Sequence, residues 1–319
     1  MLLLNDIQLE SLLTPLQLVD TVERAMRSDE LNENLVPQRM HVTRADNTYL
    51  LMPAYGNTSF GTKLVSVMPA NAHSGQPVIR GLYSLNDSKN GALLALMSAS
   101  KLTALRTGAI AAVAVRTLTQ PNIDSIGIIG PGVQAVWIAI CTAAIRPIKK
   151  IYVQGRSKKS LNHFLLQMRE HLPDVEIIET GNSASMLEQT ETIITATTSD
   201  FPVLPNDTAL LRDKTFVAMG SYRKTMRELP DAAFQLCVQI LIDAPGTKFE
   251  VGDVLHPLHQ KLVTDENVVT LGSILTNRNQ VRSKTKVFKS AGYALFDLFV
   301  AEKLYEAAAS RGIGQTFSF

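Results

Sequence analysis

An apolar run, Ile126-Gly127-Ile128-Ile129, passes directly into Gly130-Pro131-Gly132-Val133-Gln134-Ala135, and no other stretch of the 319-residue chain restricts its fold as severely. A strand that ends in a glycine turn and resumes as a helix leaves unsatisfied helix N–H groups at the turn, where an anion such as a pyrophosphate can sit. Gly130 and Gly132 permit the turn and the close approach of backbone to ligand. Val133 to Ala144 supplies an apolar helix, and Ala135 stands where a third glycine often occurs. The motif predicts a nucleotide cofactor; a purely structural strand-to-helix turn is the competing reading.

The next strand candidate, Lys149 to Val153, narrows the choice of cofactor. Folds that bind NAD place an acidic residue near the end of this strand, about 20 residues past the glycines, to hold the ribose hydroxyls. Here the sequence is Gln154-Gly155-Arg156-Ser157-Lys158-Lys159. Arg156 can pair with a 2′-phosphate through two parallel bonds and Ser157 can donate a third, so NADPH is expected, with NADH possible. A solvated basic turn is the alternative.

Periodicity places these motifs in an architecture. Thr14-Pro15 opens a helix with Leu18, Val19, Val22, Ala25 and Met26 on one face. Between Arg39 and Met97 short β-like runs follow, among them Tyr49 to Met52, Lys63 to Val67 and Gly81 to Leu85. Ser100 to Leu118 is alanine-rich and helical, and carries Arg106 and Thr107. Beyond it, Ile126 to Gly130, Ile151 to Val153, Val175 to Ile178, Thr192 to Ala196, Thr215 to Met219 and Gln239 to Ile242 alternate with helical stretches, the rhythm of a doubly wound parallel sheet. The expected class is α/β, with two domains at this length.

Thirty-one Lys plus Arg against 29 Asp plus Glu leave a charge of +2, which argues against a nucleic-acid or membrane surface and for a small-molecule partner. Cys141 and Cys237 sit far apart in apolar settings, as reduced thiols do. The first residues lack a basic, then apolar, leader pattern, and a cytoplasmic protein is expected. His256-Pro257-Leu258-His259, near Glu250 and Asp253, is taken as a loop and not a metal site. The basic run Arg278, Arg282, Lys284, Lys286 and Lys289 lacks interleaved aromatics and is taken as a solvated edge, with Lys289 alone near the cofactor.

Three further segments, taken with the glycine loop, resemble the ornithine cyclodeaminase and mu-crystallin family. They are Met52-Pro53-Ala54 with Gly61-Thr62-Lys63, Leu102 to Ala109, and Phe288-Lys289-Ser290-Ala291-Gly292 leading to Asp297. The resemblance spans nearly the whole chain, and it implies a Rossmann-type domain over 111–287. A discontinuous α+β substrate and dimerisation domain is implied over 1–110 with 288–319, together with a homodimer. Phe288 to Ala309 is expected as a returning helix with Asp297, Glu302 and Lys303 on its polar side.

In the family a substrate carboxylate is held by residues that fall here on Arg39, Lys63 and Arg106, and the chemistry is apt because planar guanidinium groups pair bidentately with carboxylates. Lys63, crowded by two guanidinium groups, is expected to have a lowered pKa and to exchange a proton with an imine or amine. Cofactor contacts carried over likewise are Thr107, Gly130, Gly132, Val133, Gln134, Arg156, Ser157, Thr197, Gly220 and Ser290. Val78 departs from the threonine of the cyclodeaminase branch.

One departure bears on the reaction. Cyclodeaminases place a catalytic Asp two residues after the glycine that follows the strand at Phe216 to Met219; this chain has Gly220-Ser221-Tyr222-Arg223, with Tyr222 at that position. A tyrosine with a pKa near 10 replaces a carboxylate poorly as a base. The pattern resembles instead the branch that reduces cyclic ketimine acids such as Δ1-pyrroline-2-carboxylate or Δ1-piperideine-2-carboxylate. The three cations are expected to converge with no acidic group beside them. Ornithine cyclodeaminase, alanine dehydrogenase and an NADPH-bound ligand carrier stay open as alternatives.

Overall fold

The computed structural model describes residues 1–318, apart from the side chains of Ala72 and His73. The chain starts with β1 (Leu2–Leu4), α1 (Asp6–Leu12) and α2 (Pro15–Glu30). Thr14 caps α2 as its order with proline predicts: Gln17 N donates to the Thr14 hydroxyl and Thr14 N donates to the Gln17 side chain. Then follow β2 (Met40–Arg44), β3 (Asn47–Tyr55), β4 (Ser59–Val67), β5 (Ile79–Asp87), β6 (Leu93–Ser98) and α3 (Ala99–Leu118).

Next come β7 (Ser125–Ile129), α4 (Val133–Ala143), β8 (Lys150–Gln154), α5 (Lys158–His171), β9 (Glu176–Glu179), α6 (Ser183–Gln189), β10 (Thr192–Thr195), α7 (Thr208–Leu211) and β11 (Thr215–Ala218). The rest is α8 (Asp231–Leu236), β12 (Ile240–Ile242), α9 (Thr247–Glu250), α10 (Gly252–His259), β13 (Val268–Thr270), α11 (Leu271–Leu275), β14 (Lys286–Lys289), α12 (Ala294–Arg311) and β15 (Gln315–Thr316).

Two compact units result, Met1–Arg106 with Tyr293–Phe319, and Thr107–Gly292. The first holds a seven-stranded sheet in the order β15-β1-β6-β5-β4-β3-β2, antiparallel except where β1 pairs with β6. One face of it carries Met52, Lys63, Tyr83 and Met97, all buried, and packs against α12. The opposite face carries one apolar row. Met40, Leu51, Leu64 and Leu82 stand opposite one another across four strands, and Met40 and Leu82 are exposed.

The second unit is a parallel sheet in the order β13-β12-β14-β11-β10-β7-β8-β9. The chain leaves β7 toward β8 and β9 on one side and returns to β10 and β11 on the other. The C-terminal ends of β7 and β10 therefore flank a topological switch point, where ligands bind in such sheets. Fold class is α/β with a Rossmann-type sheet, as the sequence rhythm predicts.

Two local expectations fail. The helix anticipated from Phe288 begins at Ala294, because Phe288 and Lys289 are the buried end of β14, hydrogen-bonded between β11 and β12. The segment at His256 is helical and not a loop: α10 tolerates Pro257 inside it. No helix among the described residues is long and apolar enough to cross a membrane.

Candidate functional site

The first unit brings the predicted carboxylate-binding cations together. Lys63 projects from the buried face of β4 and is 3% exposed; Arg106 on α3 is 7% exposed. Arg39, half-buried before β2, is close enough to act electrostatically on Lys63. Burial lowers the Lys63 pKa first, Asp297 raises it, and Arg106 and Arg39 lower it again, leaving it at about 8. Near neutral pH such an ammonium is mostly protonated yet gives its proton up readily.

The expectation of no acidic neighbour is wrong. Asp297, on α12, is fully buried; its Oδ2 accepts from Lys63 Nζ at 2.7 Å and its Oδ1 from Arg106 Nε at 3.1 Å. The sequence places Asp297 on the polar side of its helix, whereas the structure turns it inward as counter-ion to two buried cations. Without it, two uncompensated charges would sit at a dry position, which is strongly unfavourable. Asp297 offers one negative charge to the two buried cations Lys63 and Arg106, so that pair still favours an anion. Because Arg106 meets Asp297 through Nε, its two terminal nitrogens are left to form a fork toward a carboxylate.

The nucleotide-type loop belongs to the second unit. Gly130 follows β7 at φ +94°, and a side chain there would strike the Ala196 carbonyl at 2.7 Å. Gly132 caps α4 with no side-chain hydrogen bond, and nothing lies within 4 Å of where its Cβ would be. The first-turn amides at Val133 and Gln134 are therefore available to a pyrophosphate. Gln134 is partly buried, and its Oε1 has no hydrogen-bond partner among the described residues. At the end of β8 Arg156 is exposed without an ion pair among the described residues, and Ser157 caps α5. These residues fit a nicotinamide dinucleotide. Thr107 is buried on α3.

Beyond β10 and β11 the carried-over Thr197 and Gly220 are tied to a carboxylate that sequence reasoning missed. Glu228 is fully buried. Its Oε1 accepts from Thr197 N at 2.7 Å and Thr197 Oγ1 at 2.8 Å; its Oε2 accepts from Gly220 N at 2.7 Å and Ser221 N at 3.3 Å. Asp253 Oδ1 in turn accepts from Glu228 N and Leu229 N. Ser290, 2% exposed, donates to Asp243 Oδ2 at 2.6 Å. No local signal marks Glu228, which follows Arg227 in a stretch that reads as surface.

Lys289 is no part of a solvated edge. It is fully buried, with Nζ 3.7 Å from Asp253 Oδ2 and 3.9 Å from Glu228 Oε2. Lys286 likewise turns to a backbone carbonyl, that of Leu118. Tyr222 is exposed, with the Arg223 guanidinium 5.1 Å from its ring centre. His256 Nε2 pairs with Asp231 Oδ1 at 3.0 Å, and the described residues contain no cluster suited to a metal ion. Cys141 and Cys237 are free and buried; burial pushes the Cys141 thiol up and that of Cys237 up to about 12.

Comparison with known proteins gives these features a lineage. The model of the ornithine cyclodeaminase/mu-crystallin family matches residues 1–312. A Bacillus cereus protein named Delta(1)-pyrroline-2-carboxylate reductase is 30% identical over 328 aligned positions, covering 100% of both chains. An Azospirillum brasilense Delta(1)-pyrroline-2-carboxylate/Delta(1)-piperideine-2-carboxylate reductase is 28% identical, covering 93% of each. The structure of Thermococcus litoralis Delta(1)-pyrroline-2-carboxylate reductase, in complex with NADH and L-proline, superposes with a TM-score of 0.91 at 29% identity. It covers 99% of this chain and 100% of that one.

Proposed function

Because the chain belongs to the ornithine cyclodeaminase/mu-crystallin family, we propose that it reduces Δ1-pyrroline-2-carboxylate to L-proline with a nicotinamide dinucleotide. NADPH is favoured over NADH on account of Arg156, and the six-membered Δ1-piperideine-2-carboxylate is a second substrate of the same chemistry. It is an oxidoreductase acting on a carbon–nitrogen bond. The observation that carries the reading is the buried pair Lys63 and Arg106 bound to Asp297, with Arg39 acting electrostatically on Lys63, which suits an anion that also needs a proton.

In the mechanism Arg106 and Arg39 hold the substrate carboxylate, which fixes the ring. Lys63 keeps the ring nitrogen protonated, so the neighbouring carbon is electrophilic. When bound, the nicotinamide supplies a hydride to that carbon. Arg106 and Thr107, assigned to substrate and cofactor respectively, are consecutive in the sequence. Gly130, Gly132, Val133 and Gln134 bind the pyrophosphate, Arg156 and Ser157 the ribose phosphate, and Thr197, Gly220 and Ser290 line the nicotinamide end. A cyclodeaminase reading would need a free base. Tyr222 is not one, and both oxygens of Asp297 are bound to cations.

The exposed row at Met40 and Leu82 supports a homodimer formed through that sheet face, since contiguous apolar surface marks association sites. Buried, unpaired cysteines fit a reducing, cytoplasmic setting.

The test is purified protein with NADPH and each imine acid, following NADPH loss, and with ornithine and NAD, following ammonia. NADPH loss with the imine acids supports the reading; ammonia from ornithine without imine reduction contradicts it. NADPH binding without turnover on any substrate favours a ligand carrier. Arg156→Asp is expected to move cofactor preference from NADPH to NADH by about tenfold or more, because it turns an attractive contact to the 2′-phosphate into a repulsive one. An unchanged ratio of kcat/KM for the two cofactors would remove Arg156 from the phosphate site.

A further inference from the structure

A dinucleotide on the second unit has a direction. With the ribose phosphate at the end of β8 and the pyrophosphate at the glycine loop after β7, the nicotinamide half lies on the other side of the switch point. That side holds the ends of β10, β11 and β14, which follow β7 in that order across the parallel sheet. Ser290 is the first residue beyond β14, and its amide donates to the Ala218 carbonyl at the end of β11 at 3.1 Å.

A buried carboxylate holds Ser290 from behind. Asp243 follows β12 and is 3% exposed. Its Oδ2 accepts from Ser290 Oγ at 2.6 Å and from Gly292 N at 2.9 Å; its Oδ1 accepts from Thr247 Oγ1 at 2.5 Å. A carboxylate only accepts, so the single hydroxyl proton of Ser290 is committed to Asp243. Gly292 N also reaches Ser290 Oγ, at 3.1 Å, but shares its proton with the carboxylate. Ser290 therefore faces a ligand as an acceptor alone, and the charge behind it strengthens that polarity.

An acceptor that cannot donate selects among partners. On the nicotinamide half the ribose hydroxyls can either donate or accept, whereas the carboxamide NH2 can only donate. We propose that Asp243 is a positioning residue that fixes the Ser290 hydroxyl as the acceptor for the carboxamide NH2 of the cofactor. The carboxamide is thereby oriented with its amino group toward β14, and a cofactor that lacks this donor is disfavoured. Asp243 acts through Ser290 and does not touch the cofactor. The assignment rests on the proposed dinucleotide site and not on the identity of the imine.

Titration calorimetry on the intact protein tests it, with NADP+ and with 3-acetylpyridine adenine dinucleotide phosphate, in which a methyl group replaces the carboxamide NH2. Wild type should bind the analogue about tenfold or more weakly than NADP+, because a buried acceptor is left unmet. Asp243→Asn turns an NH2 toward Ser290 and frees the hydroxyl proton to point at the ligand, so the difference should shrink to about threefold or less. Ser290→Ala should shrink it equally, and the double variant no further. If Asp243 merely braced the turn after β14, its loss would weaken both ligands alike and keep their ratio. Equal binding of the two by wild type, or a wild-type ratio in either single variant, would overturn the assignment. Ser290→Ala deletes one oxygen and decides the matter even where Asp243→Asn does not fold. Wild type that binds no NADP+ overturns the dinucleotide site and the assignment together; NADP+ bound without discrimination overturns the assignment alone.

Discussion

Lys63→Met is expected to lower kcat for imine reduction by about 10²–10⁴-fold, the usual worth of a positioned proton donor. The variant should also lose a limb of the pH profile. Burial, opposed by Asp297 and assisted by Arg106 and Arg39, brings Lys63 to about 8. The active form is the protonated one, present below that value and lost above it. Wild-type kcat/KM for the imine acid should therefore be level below pH 8 and fall as pH rises through it. Methionine keeps most of the apolar stem and leaves Asp297 paired with Arg106, so the buried carboxylate is not stranded. NADPH binding, assigned to residues of the other unit, should persist. A variant with near-normal kcat, or one that keeps the alkaline fall, would remove Lys63 from the chemistry.

Glu228→Gln should show the second large effect, on stability and cofactor binding at once. One carboxylate receives four donors, from Thr197, Gly220 and Ser221, and faces the buried ammonium of Lys289. A glutamine has one oxygen to accept with, and its NH2 would confront donors. Breaking a buried charge network by removing one partner costs about 3–5 kcal/mol, to be read as a lowered urea midpoint. The loops after β10 and β11 lose their shared anchor in the same step, so NADPH should bind more weakly in a fluorescence titration. Unchanged stability and unchanged NADPH affinity would show that the network is dispensable.

Much of the frame was legible because its signals are local. The glycine loop, the Thr14-Pro15 cap and the apolar runs of β7, β8 and β10 each depend on neighbours in sequence, and the parallel order follows from their alternation with helices. The two lysine-flanked residues of β14 were not legible as a strand. A central parallel strand is buried on both faces and shows no alternation, and Lys286 and Lys289 made it look like surface.

The site divided along the same line. Residue types carried by the family motifs put Arg39, Lys63 and Arg106 at one place, and Lys63 was expected to be depressed by its guanidinium neighbours. Burial is the larger cause, and burial is decided by α12 packing over β4, a contact across more than 230 residues of sequence. Asp297 and Glu228 were missed for that reason: each is a carboxylate whose partners lie on other elements. An acid such as Asp297 among Leu295, Phe296, Leu298 and Phe299 is the one signal that could have exposed it.

The most direct measurement follows the hydride itself. The protein is supplied with Δ1-pyrroline-2-carboxylate and NADPH carrying deuterium at the transferable position, and the product is read by NMR and mass spectrometry. L-Proline with deuterium at its α-carbon, one per NADPH consumed, is the predicted result. Proline without deuterium, or no consumption of NADPH while ornithine releases ammonia, would contradict the account.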